Sequence, residues 1–210
     1  HACGHDVHMT IATGMALWIK ESNIKIQGRL RIMYQPAEET APGGALEMIK
    51  GGAVEGVDHI IGYHVLPKLQ AGQIGIKAGP ISAAVEAHSF TFEGKGGHTS
   101  RPEETEDLIS IVSRFILEMN TKLDKIKTPE SPFVIAFGHI NGGYTYNVIP
   151  ESLLLRGTMR FLRDSTKIQL HELIQEMIID FSNRMCVSIN HEIPYSSPAI
   201  INDLKLTEII

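Results

Sequence analysis

The chain has 210 residues, 43% hydrophobic and 20% charged, and at about 150 residues per domain this length predicts one large or two small domains, each able to bury a core. Glycine and proline, at 19 and 10 residues, are ordinary in number and exclude collagen and long disorder. A net charge of −5 with no Lys/Arg cluster along any one element argues against nucleic acid, and the lack of an apolar run near the roughly 18 to 20 residues that span a bilayer argues against a membrane.

In chain order, Val7 to Lys20 carries Ile11, Met15, Trp18 and Ile19 at helical spacing, which predicts a helix with one buried stripe. Gly28 to Gln35 alternates, with Leu30, Ile32 and Tyr34 on one side, and ends at Pro36, as a strand running into a loop does. A short helix is expected from Ala45 to Lys50, stopped by Gly51 and Gly52 in a left-handed helix end. His59 to Val65 and Gly72 to Lys77 read as two further strands, which completes an α/β pattern.

The order then changes. Ala84 to Glu93 reads as a strand with Phe90 and Phe92 on one face. A helix is predicted over Glu106 to Leu123 with Leu108, Ile111, Val112, Phe115, Ile116 and Met119 inward. Strands are predicted over Pro132 to Ile140 and Ser152 to Leu162, then a helix over Ser165 to Met185 with Ser165 as N-cap, then a strand over Cys186 to Ile193. This β-α-β-β-α-β order predicts a ferredoxin-like α+β domain. The expected organisation is an incomplete α/β domain over 1–83, the ferredoxin-like domain inserted over 84–196, and a return to the first domain over 197–210. The chain opens at His1 and stops at Ile210 within an apolar, helix-like stretch, as a piece of a longer protein would.

Five stretches carry chemistry. In Cys3-Gly4-His5-Asp6-Val7-His8, a spacing of two on extended backbone would put Cys3 and His5 on one face as a soft, zinc-type pair, with Asp6 or His8 orienting them; the plain alternative is a His-rich turn. Gln35-Pro36-Ala37-Glu38-Glu39 places two carboxylates side by side, and on extended chain they would point apart, one to ligate and one to face substrate; a solvated acidic turn is the alternative. His64 closes the strand of Gly62-Tyr63-His64-Val65, as a ligand or as a hydrogen-bonded rim histidine. The Gly-rich turn Gly94-Lys95-Gly96-Gly97-His98-Thr99-Ser100-Arg101-Pro102 holds His98 out on a loop or is a flexible connection. Gly142-Gly143 and Asn147-Val148-Ile149-Pro150 precede Arg156, Arg160 and Arg163, which read as carboxylate clamps or as surface charge. Cys3 and Cys186 are the only cysteines, too few for a disulfide framework and consistent with a reducing, cytoplasmic setting.

Taken together, His-Ala-Cys-Gly-His-Asp, Gln-Pro-Ala-Glu-Glu, Gly-Tyr-His-Val, Gly-Lys-Gly-Gly-His-Thr-Ser-Arg-Pro, Asn-Val-Ile-Pro and Gly157-Thr158-Met159-Arg160 strongly resemble the M20 metallopeptidase family. Their order and spacing match its aminoacylase, hippurate hydrolase and indole-acetyl-amino-acid hydrolase branch. The resemblance implies a two-metal centre with Cys3, His5, Glu39 and His64 as ligands and Glu38 as the general base. It further implies a lid that carries His98 and Asn147 toward the substrate and forms a homodimer, with Arg160 among the substrate-binding residues. The implied reaction is hydrolysis of the amide bond of a small N-acyl amino acid by metal-activated water. Thiolate and imidazole favour Zn²⁺, and the mixed set also admits Mn²⁺, Co²⁺ or Ni²⁺. In the family, strands precede the Cys-Gly-His motif and a further His ligand follows the stretch corresponding to Ile210, so the resemblance covers the middle of the enzyme. A sheet without its flanking strands exposes its edges, and the lid is expected to fold better alone than the rest.

The rival reading is a non-catalytic remnant that dimerises and binds metal without turnover. An RNA-binding reading of the ferredoxin-like sheet lacks paired surface aromatics and a basic balance.

Overall fold

A computed structural model describes residues 2–40 and 42–210. The chain divides into two compact units, His1–Ile76 and Lys77–Ile210.

The first unit contains two helices among its described residues, α1 (His5–Glu21) and α2 (Ala45–Lys50). The end of α2 is a Schellman turn: Ala53 N–H reaches the Met48 carbonyl, and Gly52 N–H, on a residue with φ +84°, reaches that of Ile49. The left-handed residue is thus Gly52. Two expectations fail here. The stripe of α1 is not buried, with Ile11 49%, Met15 39% and Trp18 60% exposed, because no described apolar surface covers it. The segments 28–35, 59–65 and 72–77 form no strand. Alternation describes the faces of a pleated chain, but a strand also needs a neighbour for its N–H and C=O groups, and these segments lack one among the described residues.

The second unit holds the core. Every buried hydrophobic side chain among the described residues lies between Ala84 and Val187. Strands β1 (Gly79–Ser82), β2 (Ala84–Glu93) and β3 (Gly97–His98) lead to α3 (Leu108–Ile126), followed by β4 (Phe133–Gly142), β5 (Val148–Ile149) and β6 (Ser152–Phe161). Then come α4 (Asp164–Met185), β7 (Ser188–Ser197), β8 (Ile200–Asn202) and α5 (Leu204–Ile209). The main sheet is antiparallel in the order β4-β6-β2-β7, and β1 with β8 and β3 with β5 form two small pairs. The elements β2, α3, β4, β6, α4 and β7 give a β-α-β-β-α-β run.

Period-2 alternation puts Ala84, Phe90, Phe92, Leu153, Leu155, Met159 and Phe161 on the inner face of the sheet, where α3 and α4 cover them. Phe115 of α3 anchors this layer, its ring centroid 5.5 Å from Phe90, 5.2 Å from Phe92 and 5.1 Å from Phe181 of α4. Asp107 caps α3, its carboxylate accepting from the N–H and hydroxyl of Ser110. Most element boundaries differ from the sequence reading by one to three residues, α3 for example running Leu108–Ile126 rather than Glu106 to Leu123, and those of α4 and β7 have a clear physical reason. Helix α4 starts one residue early with Arg163, not Ser165, at the N-cap, which places the Asp164 carboxylate in the first turn, where the helix dipole favours it. Strand β7 starts at Ser188, after Cys186 ends α4 with φ +55°, and runs through Pro194. It does so because β7 is an edge strand whose register against β2 shifts between Ala87 and Ser89, where a missing N–H breaks no ladder.

Candidate metal centre

The first unit builds its site around the start of α1. Gly4 sits at φ +78°, and a Cβ there would stand 2.4 Å from Val65 Cγ2. Only glycine meets both the backbone and the steric demand. This left-handed turn, rather than extended chain, brings Cys3 and His5 together. The segment carrying His64 is stitched to the same turn: Tyr63 Oη donates to the His8 carbonyl at 2.6 Å, and Val65 N–H donates to His8 Nε2 at 3.0 Å. His8 therefore acts as an acceptor. Partial burial, then the nearby His64 and His5, lower its pKa from the ordinary imidazole value. His64 Nδ1 lies 2.7 Å from the Val65 carbonyl, an acceptor only, so Nδ1 bears the proton. The other nitrogen, Nε2, then offers its lone pair 3.3 Å from Cys3 Sγ. A carbonyl on one imidazole nitrogen and a soft donor beside the other is the usual setting of a ligating histidine.

The carboxylates arrive from a turn. Thr40 N–H bonds the Ala37 carbonyl at 3.3 Å and Gly44 N–H bonds that of Pro36 at 3.0 Å, while Ala37 takes φ +52°. A Cβ at Gly44 would meet Pro36 O at 2.5 Å, so glycine permits the close approach. The expectation of diverging neighbours on extended chain fails because Glu38 and Glu39 occupy the middle of this turn. Both reach His5 Nε2, Glu38 Oε2 at 3.5 Å and Glu39 Oε1 at 3.5 Å.

Two donor sets result, Cys3/His5/His64 and His5/Glu38/Glu39, with the ligand atoms of each within 4.8 Å of one another. His5 belongs to both. The charge balance fits a cation: the hydrogen bond to Glu39 first, then burial and the negative charges of Glu39 and Glu38, raise the Cys3 thiol pKa. A divalent ion among these groups reverses that load and stabilises the thiolate. The sulfur, imidazole and carboxylate donors suit Zn²⁺ and its neighbours in the first transition row.

The second unit holds the other candidates. His98 on β3 pairs with Val148 on β5, and Thr99 N–H donates to the Asn147 carbonyl at 3.1 Å, so His98 and Asn147 share one two-stranded connector. His98 Nδ1 accepts from Ser100 N–H at 3.1 Å and lies 2.8 Å from Ser100 Oγ; the neutral ring carries its proton on Nε2. Asn147 Oδ1 accepts from Thr145 Oγ1 at 3.0 Å, which leaves its amide N–H groups to donate. Arg160 stands exposed on β6, between Val85 and Val134. Sequence reasoning gave no role to Tyr63, Val65 or Ser100. Tyr63 and Val65 act through contacts with His8, and Ser100 through its N–H and hydroxyl on His98, pairings that residue type alone does not reveal.

A family model described as Peptidase family M20/M25/M40 matches residues 1–210. The N-acetyl-L-cysteine deacetylase of Bacillus subtilis is 33% identical over 210 residues, which span 100% of this chain and 50% of that protein. The N-acyl-L-amino acid amidohydrolase of Geobacillus stearothermophilus is 31% identical over 202 residues, 96% of this chain and 55% of that protein. The chain therefore spans about half the length of these curated relatives. Among solved structures, a candidate aminohydrolase from methicillin-resistant Staphylococcus aureus superposes with a TM-score of 0.88 at 31% identity, over 100% of this chain and 56% of its own. A dinuclear metal binding peptidase of the M20 family from Bacillus subtilis gives 0.79 at 26% identity, over 99% and 52%. With the family model matched along the whole chain and relatives above 30% identity covering nearly all of it, the chain belongs to the M20/M25/M40 peptidase family.

Proposed function

We propose that the protein hydrolyses the amide bond of N-acyl amino acids at a two-metal centre in its first unit. The convergence of Cys3, His5 and His64 with the neighbouring Glu38 and Glu39 carboxylates at His5 carries this reading. Cys3, His5, Glu39 and His64 would hold the metals, with Glu38 kept for proton transfer. Bound there, the divalent ions supply Lewis acidity toward the amide carbonyl and lower the pKa of water.

The chain's own groups do the rest. Glu38, its side chain 55% exposed, takes a proton from the attacking water and returns it to the leaving amine nitrogen. His98, held by Ser100 with its proton on Nε2, donates to the carbonyl oxygen as charge develops, a contribution of about 3 kcal/mol for one such donor. Asn147 and Arg160 hold the substrate's carboxylate, Arg160 as a fork-shaped clamp. In this reading residues 1–83 form the catalytic part and 84–196 a ferredoxin-like lid that joins two copies. Residues 197–210 return toward the catalytic part. The names of the relatives, a deacetylase of N-acetyl-L-cysteine and an amidohydrolase of N-acyl-L-amino acids, support the substrate class.

Supplied with Zn²⁺ or Mn²⁺ and a panel of N-acetyl and N-benzoyl amino acids, the protein is expected to release free amino acid. Glu38→Gln should keep its metal and lose turnover by roughly 10²-fold or more. Turnover near wild type in Glu38→Gln, or no hydrolysis of any panel member by the metal-loaded protein, would overturn the proposal.

A further inference from the structure

A second cluster lies in the other unit, between the sheet and α4. Glu86 and His88 sit on the inner face of β2 at 1% and 4% exposure, core positions that their period-2 neighbours fill with Phe90 and Phe92. Helix α4 answers with Lys167, His171 and Gln175, spaced four apart on one face. The Glu86 carboxylate divides its work. Oε1 takes Lys167 Nζ at 2.7 Å and Ser196 Oγ at 3.1 Å; Oε2 takes His171 Nε2 at 2.6 Å. His88 Nδ1 is satisfied by His191 Nε2 at 2.8 Å, and His191 Nδ1 lies 3.4 Å from the Gln175 amide.

That leaves His88 Nε2. It is buried and, among the described residues, has no hydrogen-bond partner; Glu86 Oε2 lies 3.6 Å away, beyond ordinary hydrogen-bonding distance. A buried polar atom left unpaired costs about 1–3 kcal/mol, so its retention calls for a physical reason. One carboxylate oxygen and two imidazole nitrogens, from Glu86, His88 and His171, lie within 4.8 Å of one another. In a tetrahedral site with bonds of about 2.0–2.1 Å, ligand atoms stand roughly 3.3 Å apart. The 3.6 Å span from His88 to Glu86 is already near that value. The 2.6 Å span to His171 opens by a small outward shift of a side chain that is 31% exposed.

We propose that Glu86, His88 and His171 form a further divalent-metal site, of Zn²⁺ type, separate from the Cys3/His5/His64 cluster. To ligate through Nε2, His171 would carry its proton on Nδ1 instead of sharing it with Glu86 Oε2. His88 is held by His191, and behind it by Gln175, whose amide offers a donor or an acceptor by turning. Such a relay fixes the tautomer of a ligating imidazole. Stacking of His191 on Phe90, centroids 4.5 Å apart, walls the site with apolar surface. Lys167 stands as the resident competitor for the carboxylate.

Equilibrium dialysis of the metal-free full chain against Zn²⁺ at pH 7.5 tests this. Wild type should bind one Zn²⁺ more per chain than His171→Ala or His88→Phe, while Cys3→Ser keeps this ion. Lys167→Gln should tighten its binding. His171 is partly exposed, so His171→Ala retains the fold, checked by circular dichroism. Imidazole ¹⁵N spectra of the wild type give an independent readout, in which Zn²⁺ should shift the Nε2 resonances of His88 and His171. Equal stoichiometry in wild type and both histidine variants, or Zn²⁺ shifts confined to the histidines of the first unit, would overturn the proposal.

Discussion

Replacing Gly4 by alanine tests the steric lock between the start of α1 and the segment that carries His64. Two costs are separable. Alanine at φ +78° pays about 1–2 kcal/mol for left-handed backbone. Its Cβ would also lie 2.4 Å from Val65 Cγ2, so Val65 must retreat by roughly 1 Å to reach an ordinary carbon contact. His64 is next in the chain and its Nδ1 bonds the Val65 carbonyl, so that retreat disturbs the 3.3 Å approach of His64 Nε2 to Cys3 Sγ. Displacing such an orienting contact typically weakens metal binding roughly 10- to 100-fold. Competition of Zn²⁺ against a chromophoric chelator measures the loss. Val65→Ala removes Cγ2 and leaves its Cβ 3.8 Å from the new one, so the double variant should recover the steric part and keep the backbone part, a coupling that a double-mutant cycle isolates. Wild-type affinity in Gly4→Ala, or no recovery on adding Val65→Ala, would refute the reasoning.

Other outcomes follow from the second unit. Phe115→Ala, at the meeting of Phe90, Phe92 and Phe181, should cost about 3–5 kcal/mol in urea unfolding; a loss under about 1 kcal/mol would contradict the packing described. In the presence of chelator, the folded His88 pKa of about 4 lies below its unfolded value of about 6.5. The unfolded chain therefore binds the extra proton, and stability should fall by about 3 kcal/mol as pH drops from 6.5 to 4. The Glu86 carboxylate acts in the same direction: burial opposes its charge, but hydrogen bonds from Lys167 and His171 hold its pKa below the ordinary value. Lys167, His171, Gln175, Ser196 and His191 are the groups that face this pair. Unfolding free energies that stay flat over that range would rule this account out.

The second unit was legible because its signals are local. Phe90 and Phe92 alternate on β2, and Leu108, Ile111, Val112, Phe115 and Met119 repeat at helical spacing on α3, so periodicity alone gives element and inner face. Segment 28–35 alternates equally well, yet forms no strand, since pairing depends on neighbours distant in the chain. The Cys3, His5, Glu38, Glu39 and His64 set was visible as residue types in order. Its geometry was not: a left-handed Gly4 and a turn at 37–40 replace the extended chain that period-2 reasoning assumes. Glu86 and His88 break the apolar alternation of β2 at core positions. The break is readable, but its meaning depends on Lys167 and His171, some 80 residues away on α4.

The central claim, a metal centre at the start of α1 with a cysteine ligand, is tested most directly by the electronic spectrum of the Co²⁺-loaded protein. A thiolate-to-cobalt charge-transfer band should be present in wild type, persist in Cys186→Ser and vanish in Cys3→Ser. A band that survives in Cys3→Ser, or none in wild type with Co²⁺ bound, would contradict the account.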